Sequence, residues 1–522
     1  MSAEPLVPLA RQHAVGDLPR RSAGRLPDKT AIIDGDAHLT FAELDAVTDR
    51  VAAGLSAEGI IKGDKIALLS HNCWEFAALA FAAARLGVIL VPINFMLGAD
   101  EIAFILDHSE ATTFVVEGPL IDTAAKAMDT GGAVLRRVAL RADGALPEGW
   151  GNFSTWSSHQ GVVPQVQVDD DDPVRLMYTS GTESRPKGVL LSSRALMWQY
   201  VSCVIDGSMA ADDVELHTLP LYHCAQMDCF LSVDVYLGAT SIILPGPDPA
   251  TILRTIAEQK VTKYFAPPTV WISLLRHPDF ETTDLSSLRK GYYGASAMPV
   301  EVLKEIRERL PDVELWNFYG QTEMSPLATI LGPEEQLTKA GSAGRQAINV
   351  ETRIVDQEDR TVPSETVGEI VHRSPHATLG YYKNEEKTAE AFRNGWFHSG
   401  DLGYLDEDGR LFVVDRLKDM IKSGGENVAS REVEEAIYQL EGVAEVAVFG
   451  VSHPTWVEAV AAVVVPKPGV TLLPEQVLEH ALTVLAGYKA PKYVVVADAL
   501  PKNPSGKILK RALRDEHADI AQ

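Results

Sequence analysis

The chain has 522 residues, and its 47 Lys and Arg against 72 Asp and Glu give a formal net charge of -25. This length exceeds what one ordinary hydrophobic core organises, so we expect at least two domains. An acidic surface repels phosphate backbones and anionic lipid, and no local basic patch offsets the charge, which excludes nucleic acid as an expected partner.

Three features of the sequence indicate the cellular compartment: the cysteines, the first residues and the length of the apolar runs. The four cysteines (Cys73, Cys203, Cys224 and Cys229) show neither CxxC nor zinc-ligand spacing, and so few thiols favour a reducing compartment. The start lacks a basic segment followed by an apolar one, so we expect no signal peptide. The longest apolar run, residues 76–84, is too short to span a bilayer. We expect a cytoplasmic protein with no integral membrane segment, and base rates allow a homodimer.

The first two thirds of the chain alternates predicted helices with predicted strands. Thr40 and Glu43 fit a capping box ahead of an apolar helical stripe that comprises Leu44, Val47, Val51 and Leu55. A helix is predicted at 74–86, and strands are predicted at 65–70, 88–93, 113–117, 175–178, 241–244 and 263–266. This alternation predicts parallel sheets that are covered by helices on both faces.

The last third predicts two smaller units. Residues from about 345 to 415 carry short β-like runs at 369–373 and 410–414, which indicates a β-rich, more antiparallel part. Farther on, Ser430 is predicted to N-cap a helix that turns Val433, Ile437 and Leu440 inward, followed by strands at 445–451 and 459–465. The predicted fold is α/β, with a large N-terminal domain of layered parallel-sheet subdomains (1–417) and a small α/β C-terminal lid domain (418–522).

The strongest chemical pattern lies at residues 177–188, which read MYTSGTESRPKG and follow a hydrophobic strand. A polyphosphate needs hydroxyl donors, close backbone N–H groups and positive charge. Those groups are supplied here by Thr179, Ser180, Gly181, Thr182 and Lys187. The motif is not a Walker loop, because neither Ser nor Thr directly follows the lysine. The alternative is a flexible surface loop rich in Ser, Thr and Gly.

Two further motifs could complete a nucleotide site. In residues 317–323 (NFYGQTE), Tyr319 offers a flat face for a base, Thr322 a hydroxyl for a phosphate, and Glu323 a carboxylate for Mg²⁺. In residues 395–401 (GWFHSGD), Asp401 could accept hydrogen bonds from both ribose hydroxyls. Taken singly, each motif is more simply explained by a polar turn.

Basic residues and glycines cluster near the predicted domain boundary and again near the end of the chain. Residues 415–427 (DRLKDMIKSGGEN) surround the boundary, and residues 501–507 (PKNPSGK) place Lys507 on a Pro/Gly loop. A solvated loop and an ordinary surface lysine are the alternatives. The five motifs support one another because they occur in one order along one chain.

This combination resembles the superfamily of acyl- and aryl-CoA synthetases, adenylation domains and firefly luciferase, from about residue 25 to 511, and is most similar to fatty-acyl-CoA synthetases. The resemblance implies that ATP, Mg²⁺ and coenzyme A act with a carboxylic acid, through an acyl-adenylate. It implies a nucleotide site formed by Thr179, Ser180, Gly181, Thr182, Lys187, Gly294, Ala295, Ser296, Asn317, Phe318, Tyr319, Gly320, Gln321 and Asp401. It further implies α-phosphate and metal contacts at Thr322 and Glu323, a nucleotide contact at Arg416, a hinge at Lys418, and a catalytic lysine at Lys507. His223 matches the gate beside the acyl channel, and Gly424 and Gly425 match the lid loop of the second half-reaction.

The acyl pocket is expected along residues 223–235, 292–297 and 319–325, which are mostly small or apolar. This composition favours an uncharged aliphatic or aromatic tail. Together with the resemblance to fatty-acyl-CoA synthetases, it predicts an ATP-dependent carboxylic acid–CoA ligase that acts on a medium- or long-chain fatty acid. The alternatives are an aryl-acid–CoA ligase, an adenylating enzyme that loads a carrier protein, a luciferase-like oxygenase and a non-catalytic nucleotide-binding protein. The family's phosphate loop reads Thr-Gly where this chain has Glu183 and Ser184, and we predict that Glu183 points away from the phosphates or acts through Mg²⁺.

Overall fold

The structure is a computed structural model that describes residues 10–132, 134–179, 186–296, 298–416, 419–423, 426–502 and 508–521. Within these ranges the strands form four sheets, which we call sheets I to IV. Sheets I and II have helices packed on them and are mostly parallel, whereas sheet III is antiparallel. The predicted α/β class with layered parallel sheets and a β-rich part is confirmed.

Sheet I spans the middle of the chain. In spatial order its strands are Arg345–Gln346, Leu327–Leu331, Glu314–Gly320, Lys290–Gly294, Lys263–Phe265, Val214–His217, Thr240–Ile243, Thr30–Asp34 and Ala37–Thr40. The strands from Glu314–Gly320 to Thr30–Asp34 run parallel to their neighbours, so their carboxyl ends share one edge of the sheet.

Sheet II is built mainly from the first half of the chain. In spatial order its strands are Gly380–Tyr381, Lys187–Ser192, Pro173–Thr179, Ile89–Ile93, Lys65–Leu69, Thr113–Glu117, Arg136–Leu140 and Trp150–Asn152. The strand Gly380–Tyr381 comes from much later in the sequence and pairs antiparallel with Lys187–Ser192. That pairing places Gly380 and Tyr381 beside the strand that follows the predicted phosphate loop.

Sheets III and IV complete the fold. Sheet III has the order Glu351–Val355, Gly368–Arg373, Phe397–Leu405 and Leu411–Arg416. Sheet IV has the order Glu426–Val428, Ile421–Ser423, Val457–Pro466 and Val443–His453, with Tyr493–Val496 paired to Val457–Pro466. Sheet IV and its helices contain two apolar clusters of their own. The limits 1–417 and 418–522 stay a prediction, since 417 and 418 lie outside the described residues.

The helices cover the faces of the sheets. Their bounds are Leu18–Arg25, Phe41–Ala57, Trp74–Arg85, Ala99–Ser109, Ile121–Thr130, Phe153–Ser157, Ser193–Asp206, Cys224–Gln226, Ser232–Leu237, Pro249–Gln259, Pro268–Arg276, Val300–Arg309, Glu385–Ala391, Ser430–Tyr438, Pro474–Val484 and Lys510–Glu516. A π-helical turn, Met227–Leu231, joins two of them. None of the helices in the described ranges is long and apolar enough to cross a membrane.

The predicted capping box is confirmed at the start of Phe41–Ala57. The hydroxyl of Thr40 accepts from the N–H of Glu43 at 3.2 Å, and the Glu43 carboxylate accepts from the N–H of Thr40 at 2.8 Å. The predicted apolar stripe is buried. Local chemistry therefore determines where this helix begins and which face it buries.

The prediction that Ser430 N-caps its helix is wrong. Ser430 is the first helical residue, and the cap position belongs to Ala429, whose side chain cannot cap. The Asp415 carboxylate instead accepts from the N–H of Ser430 at 2.7 Å, while the hydroxyl of Ser430 accepts from Lys510 at 2.6 Å. A carboxylate from sheet III thus satisfies the N–H group of the helix, and charge at a helix N-terminus favours this arrangement. The inward direction of Val433 and Ile437 is confirmed.

A buried ionic cluster joins strands of sheet I to the helix Ser232–Leu237. Lys263 is fully buried, with its Nζ 2.5 Å from Asp234 and 2.6 Å from Glu215. His217 lies 3.2 Å from Asp234. Burial alone lowers the pKa of Lys263, but Asp234 and Glu215 more than offset this, so its pKa stays well above the usual value. Glu215, His217 and Asp234 are metal-type ligands, yet the ammonium group of Lys263 already occupies the space between the two carboxyl groups.

Candidate nucleotide-binding site

Two neighbouring strands of sheet I bring the predicted adenine segments together. Lys290–Gly294 and Glu314–Gly320 run parallel, and Gly294 pairs with Phe318. A Cβ at Gly294 would lie 2.6 Å from the carbonyl oxygen of Phe318, so glycine is required for this approach. Ala295 follows with a φ of 64°, a left-handed conformation that is uncommon for residues other than glycine. Open α/β sheets bind ligands at this edge of the sheet.

Side chains along Glu314–Gly320 alternate between the two faces of the sheet. The Phe318 ring stacks on Phe230 at 5.7 Å between ring centroids and therefore faces the core. The Tyr319 hydroxyl donates to Oδ2 of Asp401 at 2.6 Å. A contact between Phe318 and a base would have to come from its backbone, and the role predicted for the Tyr319 ring stays a prediction.

Asp401 links the Tyr319 strand to sheet III. It pairs with Arg416 across two neighbouring strands, and Nε of Arg416 lies 3.5 Å from Oδ1 of Asp401. The carboxylate is largely buried, while the Arg416 side chain is about half exposed. Burial and the negative charge of Asp401 raise the pKa of Tyr319, so its hydroxyl remains a proton donor. Asp401, predicted to bind the ribose, thus contacts both Tyr319 and Arg416, which are predicted to contact the base and the nucleotide beside the hinge.

Thr322 and Glu323 form a tight turn after this strand. Thr322 Oγ1 lies 3.4 Å from Sγ of Cys224, and Glu323 Oε1 accepts from the hydroxyl of Tyr381 at 2.8 Å. Both residues of the turn are buried. Burial raises the pKa of Glu323, and the hydrogen bond from Tyr381 opposes this rise, as do the positive charges of Arg416 and Lys187.

The two ends of the predicted phosphate loop are held in sheet II. Thr179 and Lys187 are register partners on adjacent antiparallel strands. Nζ of Lys187 lies 5.4 Å from the centre of the Tyr381 ring, a distance at which a cation and an aromatic face attract each other. Lys187 therefore lies beside Tyr381, whose hydroxyl contacts Glu323.

His223 lies at the N-terminus of the short helix Cys224–Gln226. Its Nδ1 accepts from the N–H of Ala225 at 3.1 Å. Cys224 is buried against Thr322, which places this helix beside the turn that carries Glu323. The predicted gate and the predicted α-phosphate contact are therefore neighbours.

Several predicted residues cannot be placed. Ser180, Gly181, Thr182, Glu183, Lys418, Gly424, Gly425 and Lys507 lie outside the described residues, and their roles stay predictions. Among the others, Gln321 donates to the carbonyl of Ser399 at 3.3 Å, and Ala295 and Ser296 are exposed at the strand end. Sequence reasoning missed Tyr381, because nothing in its local sequence separates it from the adjacent Tyr382.

Comparison with known proteins identifies the family of the chain. Residues 19–382 match the family described as AMP-binding enzyme, and residues 432–507 match the AMP-binding enzyme C-terminal domain. The chain is 36% identical over 504 residues to a feruloyl-CoA synthase of Amycolatopsis sp, covering 97% of this chain and 99% of the relative. It is 35% identical over 486 residues to a long-chain-fatty-acid–CoA ligase of Mycobacterium tuberculosis, covering 92% and 94%. The ATP-bound structure of MatB from Rhodopseudomonas palustris has a TM-score of 0.87 at 30% identity, covering 97% and 100%.

The chain therefore belongs to the AMP-binding enzyme family. It is an enzyme of the AMP-forming acid–CoA ligase class, with a small-molecule acid, ATP and CoA as substrates. The predicted membership of the adenylate-forming superfamily is confirmed. The identity of the acid is a separate question, because the relatives differ in the acid that their names specify.

Proposed function

We propose that the chain joins a medium- or long-chain fatty acid to CoA through an acyl-adenylate. The observation that carries the proposal is the character of the predicted acyl segments. Residues 223–235, 292–296 and 319–325 contain neither Lys nor Arg, and 224–235 is buried apart from the half-buried Ala225. A buried wall without a cation favours an uncharged tail, because a second carboxylate would lose its hydration without gaining a partner.

An aryl acid is the second candidate, and a cluster of rings favours it. Phe230 stacks on Phe265 at 4.3 Å and meets the edge of Tyr292 at 5.4 Å. All three rings are buried, Phe230 and Tyr292 belong to the predicted acyl segments, and aromatic rings pack well on one another. The similarity to a feruloyl-CoA synthase also favours this candidate.

An amino acid is disfavoured as substrate. Asp228 is the nearby carboxyl group that could pair with a substrate ammonium, but its Oδ1 already accepts from the hydroxyl of Tyr200 at 3.0 Å and it is fully buried. Burial raises its pKa, although Arg175 and Tyr200 oppose the shift. A carrier-protein thiol as acceptor stays an alternative that free CoA distinguishes.

In the first half-reaction, a carboxylate oxygen of the acid attacks the α-phosphorus of ATP. The bond from this phosphorus to the bridging oxygen breaks, and pyrophosphate leaves with the electron pair. Both reactants are anions, so Lys187 and Lys507 contribute by supplying positive charge where negative charge develops. The buried Glu323 carboxylate is a ligand of the type that Mg²⁺ prefers, and it would hold an ion that neutralises the phosphates.

In the second half-reaction, the lid domain turns about Lys418. This rotation removes Lys507 from the site of the acyl-adenylate and brings the loop with Gly424 and Gly425 to that site. The CoA sulfur attacks the acyl carbon, the bond from that carbon to the AMP oxygen breaks, and the thiol proton passes to solvent. Use of two lid faces in turn also protects the adenylate from water.

Lys418→Pro is expected to spare adenylation and to lower thioester formation, because proline fixes φ at the proposed hinge. The rates of ATP–pyrophosphate exchange and of thioester formation from supplied acyl-adenylate measure the two steps. Lys418→Ala is the matched control, since it removes the same side chain, leaves φ free and should retain both rates. Unimpaired overall turnover in the proline variant would refute the hinge assignment.

The substrate is tested with purified protein, ATP, Mg²⁺ and free CoA, and the products are read by mass spectrometry. The acids are acetate, octanoate, palmitate, benzoate, cinnamate and ferulate, with suberate as the charged match of octanoate. The proposal expects acyl-CoA and AMP from octanoate or palmitate and none from suberate. If only the aryl acids are turned over, the proposed substrate is an aryl acid and not a fatty acid. If AMP and pyrophosphate form without any thioester, the acceptor is the thiol of a carrier protein and not free CoA.

A further inference from the structure

Tyr381 contacts two charged side chains that the proposed function places at the ATP phosphates. Its strand pairs with the strand of Lys187, where Tyr381 is the register partner of Val189. Its hydroxyl donates to Oε1 of Glu323 at 2.8 Å, and its ring lies 5.4 Å from Nζ of Lys187. One side chain from a distant part of the sequence therefore bridges the anionic and the cationic side of the site.

The segment around Tyr381 is well anchored, so it can hold another group in place. The N–H of Tyr381 donates to Oγ1 of Thr388 at 2.9 Å. Three residues earlier, the N–H of Thr378 donates to the carbonyl of Glu323 at 2.8 Å. Glu323 is thus held by this segment through its backbone and through its carboxylate.

We propose that Tyr381 is a positioning residue that fixes the orientation of the Glu323 carboxylate and steadies Lys187 before ATP binds. This inference rests on the proposed function. A hydrogen bond to a carboxylate is about twice as strong as one between neutral groups. Oε1 of Glu323 is therefore held by the hydroxyl, and the carboxylate meets the metal–nucleotide complex in one orientation rather than several. Such preorganisation lowers the cost of aligning charge at the reacting phosphate.

Tyr381→Phe separates the two contacts, because phenylalanine keeps the ring under Lys187 and removes only the hydroxyl. The chain offers a matched control in the next residue. The Tyr382 hydroxyl donates to Oε2 of Glu110 at 3.0 Å in an exposed pair. Tyr382→Phe therefore makes the same chemical change, one residue away and outside the proposed site.

The experiment uses the full chain and three measurements. Binding of Mn²⁺, as a probe for Mg²⁺, is followed by electron paramagnetic resonance in the presence of ATP without acid. ATP–pyrophosphate exchange gives kcat and the KM values for ATP and for the acid, and thermal unfolding reports on the fold. We expect Tyr381→Phe to unfold at the same temperature as the wild type. It should bind Mn²⁺ about tenfold more weakly and have a kcat about tenfold lower, while the KM for the acid stays unchanged. Tyr382→Phe should match the wild type in all three measurements.

A double variant then tests whether Tyr381 acts through Glu323. Tyr381→Phe combined with Glu323→Gln should bind Mn²⁺ no more weakly than Glu323→Gln alone, because coupled residues are not additive. Full additivity, or wild-type Mn²⁺ affinity in Tyr381→Phe, would overturn the inference. Loss of exchange in the wild type with every acid would instead refute the proposed function, so the two failures are distinguishable.

Discussion

Lys507→Ala is expected to lower the rate of acyl-adenylate formation by about 10²- to 10³-fold, the usual loss when one preorganised group at a developing negative charge is removed. Thioester formation from supplied acyl-adenylate should stay close to the wild-type rate. The reason is that the proposed mechanism withdraws this lysine before CoA attacks. Exchange of labelled pyrophosphate into ATP measures the first step, and acyl-CoA formed from synthetic acyl-adenylate measures the second.

Lys502→Ala is the matched control for this variant. Lys502 lies in the same predicted loop, and its Nζ pairs with Oε2 of Glu445 at 2.6 Å. It shares the charge and the neighbourhood of Lys507 but belongs to a structural ion pair, so both half-reactions should persist. Equal loss of both half-reactions in Lys507→Ala would count against the assigned role.

Lys263→Met is expected to lower the free energy of unfolding by about 3–5 kcal/mol, because it leaves buried carboxyl groups without their cation. Asp234 and Glu215 contact the ammonium group directly and have no exposure through which water could replace it. Denaturant unfolding followed by fluorescence measures the change, read from the first transition in case the domains unfold separately.

Lys304→Met provides the comparison for this variant. Lys304 pairs with Glu301 on the helix Val300–Arg309 at 2.7 Å, and both side chains are more than half exposed. An exposed pair contributes about 0–1 kcal/mol, so the midpoint of denaturant unfolding of this variant should be close to that of the wild type. Equal midpoints for the two variants would show that the buried cluster does not depend on its lysine.

Sequence reasoning predicted well where the determinants are local. The capping box at Thr40 and the strands that alternate with helices depend on residues a few positions apart, so short patterns reveal them. The error at Ser430 has the opposite cause. Its helix is capped by Asp415, which approaches from another sheet and could not be read from the residues around the helix.

The candidate site divides in the same way. Tyr319 and Asp401 belong to two separate motifs that the sequence singled out, and the fold brings these two residues into contact. Tyr381 was missed because its partner Glu323 lies 58 positions away and only the pairing of the strand Gly380–Tyr381 in sheet II makes them neighbours. The sequence did not determine which carboxylic acid is the substrate. The shape of the acyl pocket depends on how a buried segment packs, and residue type alone does not specify that packing.

The most direct test of the central claim uses an acid labelled with ¹⁸O in its carboxylate, together with ATP, Mg²⁺ and CoA. If the carboxylate attacks the α-phosphorus and CoA later displaces AMP, one labelled oxygen must move from the acid to AMP, and pyrophosphate must carry none. We expect AMP heavier by one ¹⁸O for each acyl-CoA formed. Label in phosphate with formation of ADP, or unlabelled AMP beside acyl-CoA, would contradict an adenylate mechanism.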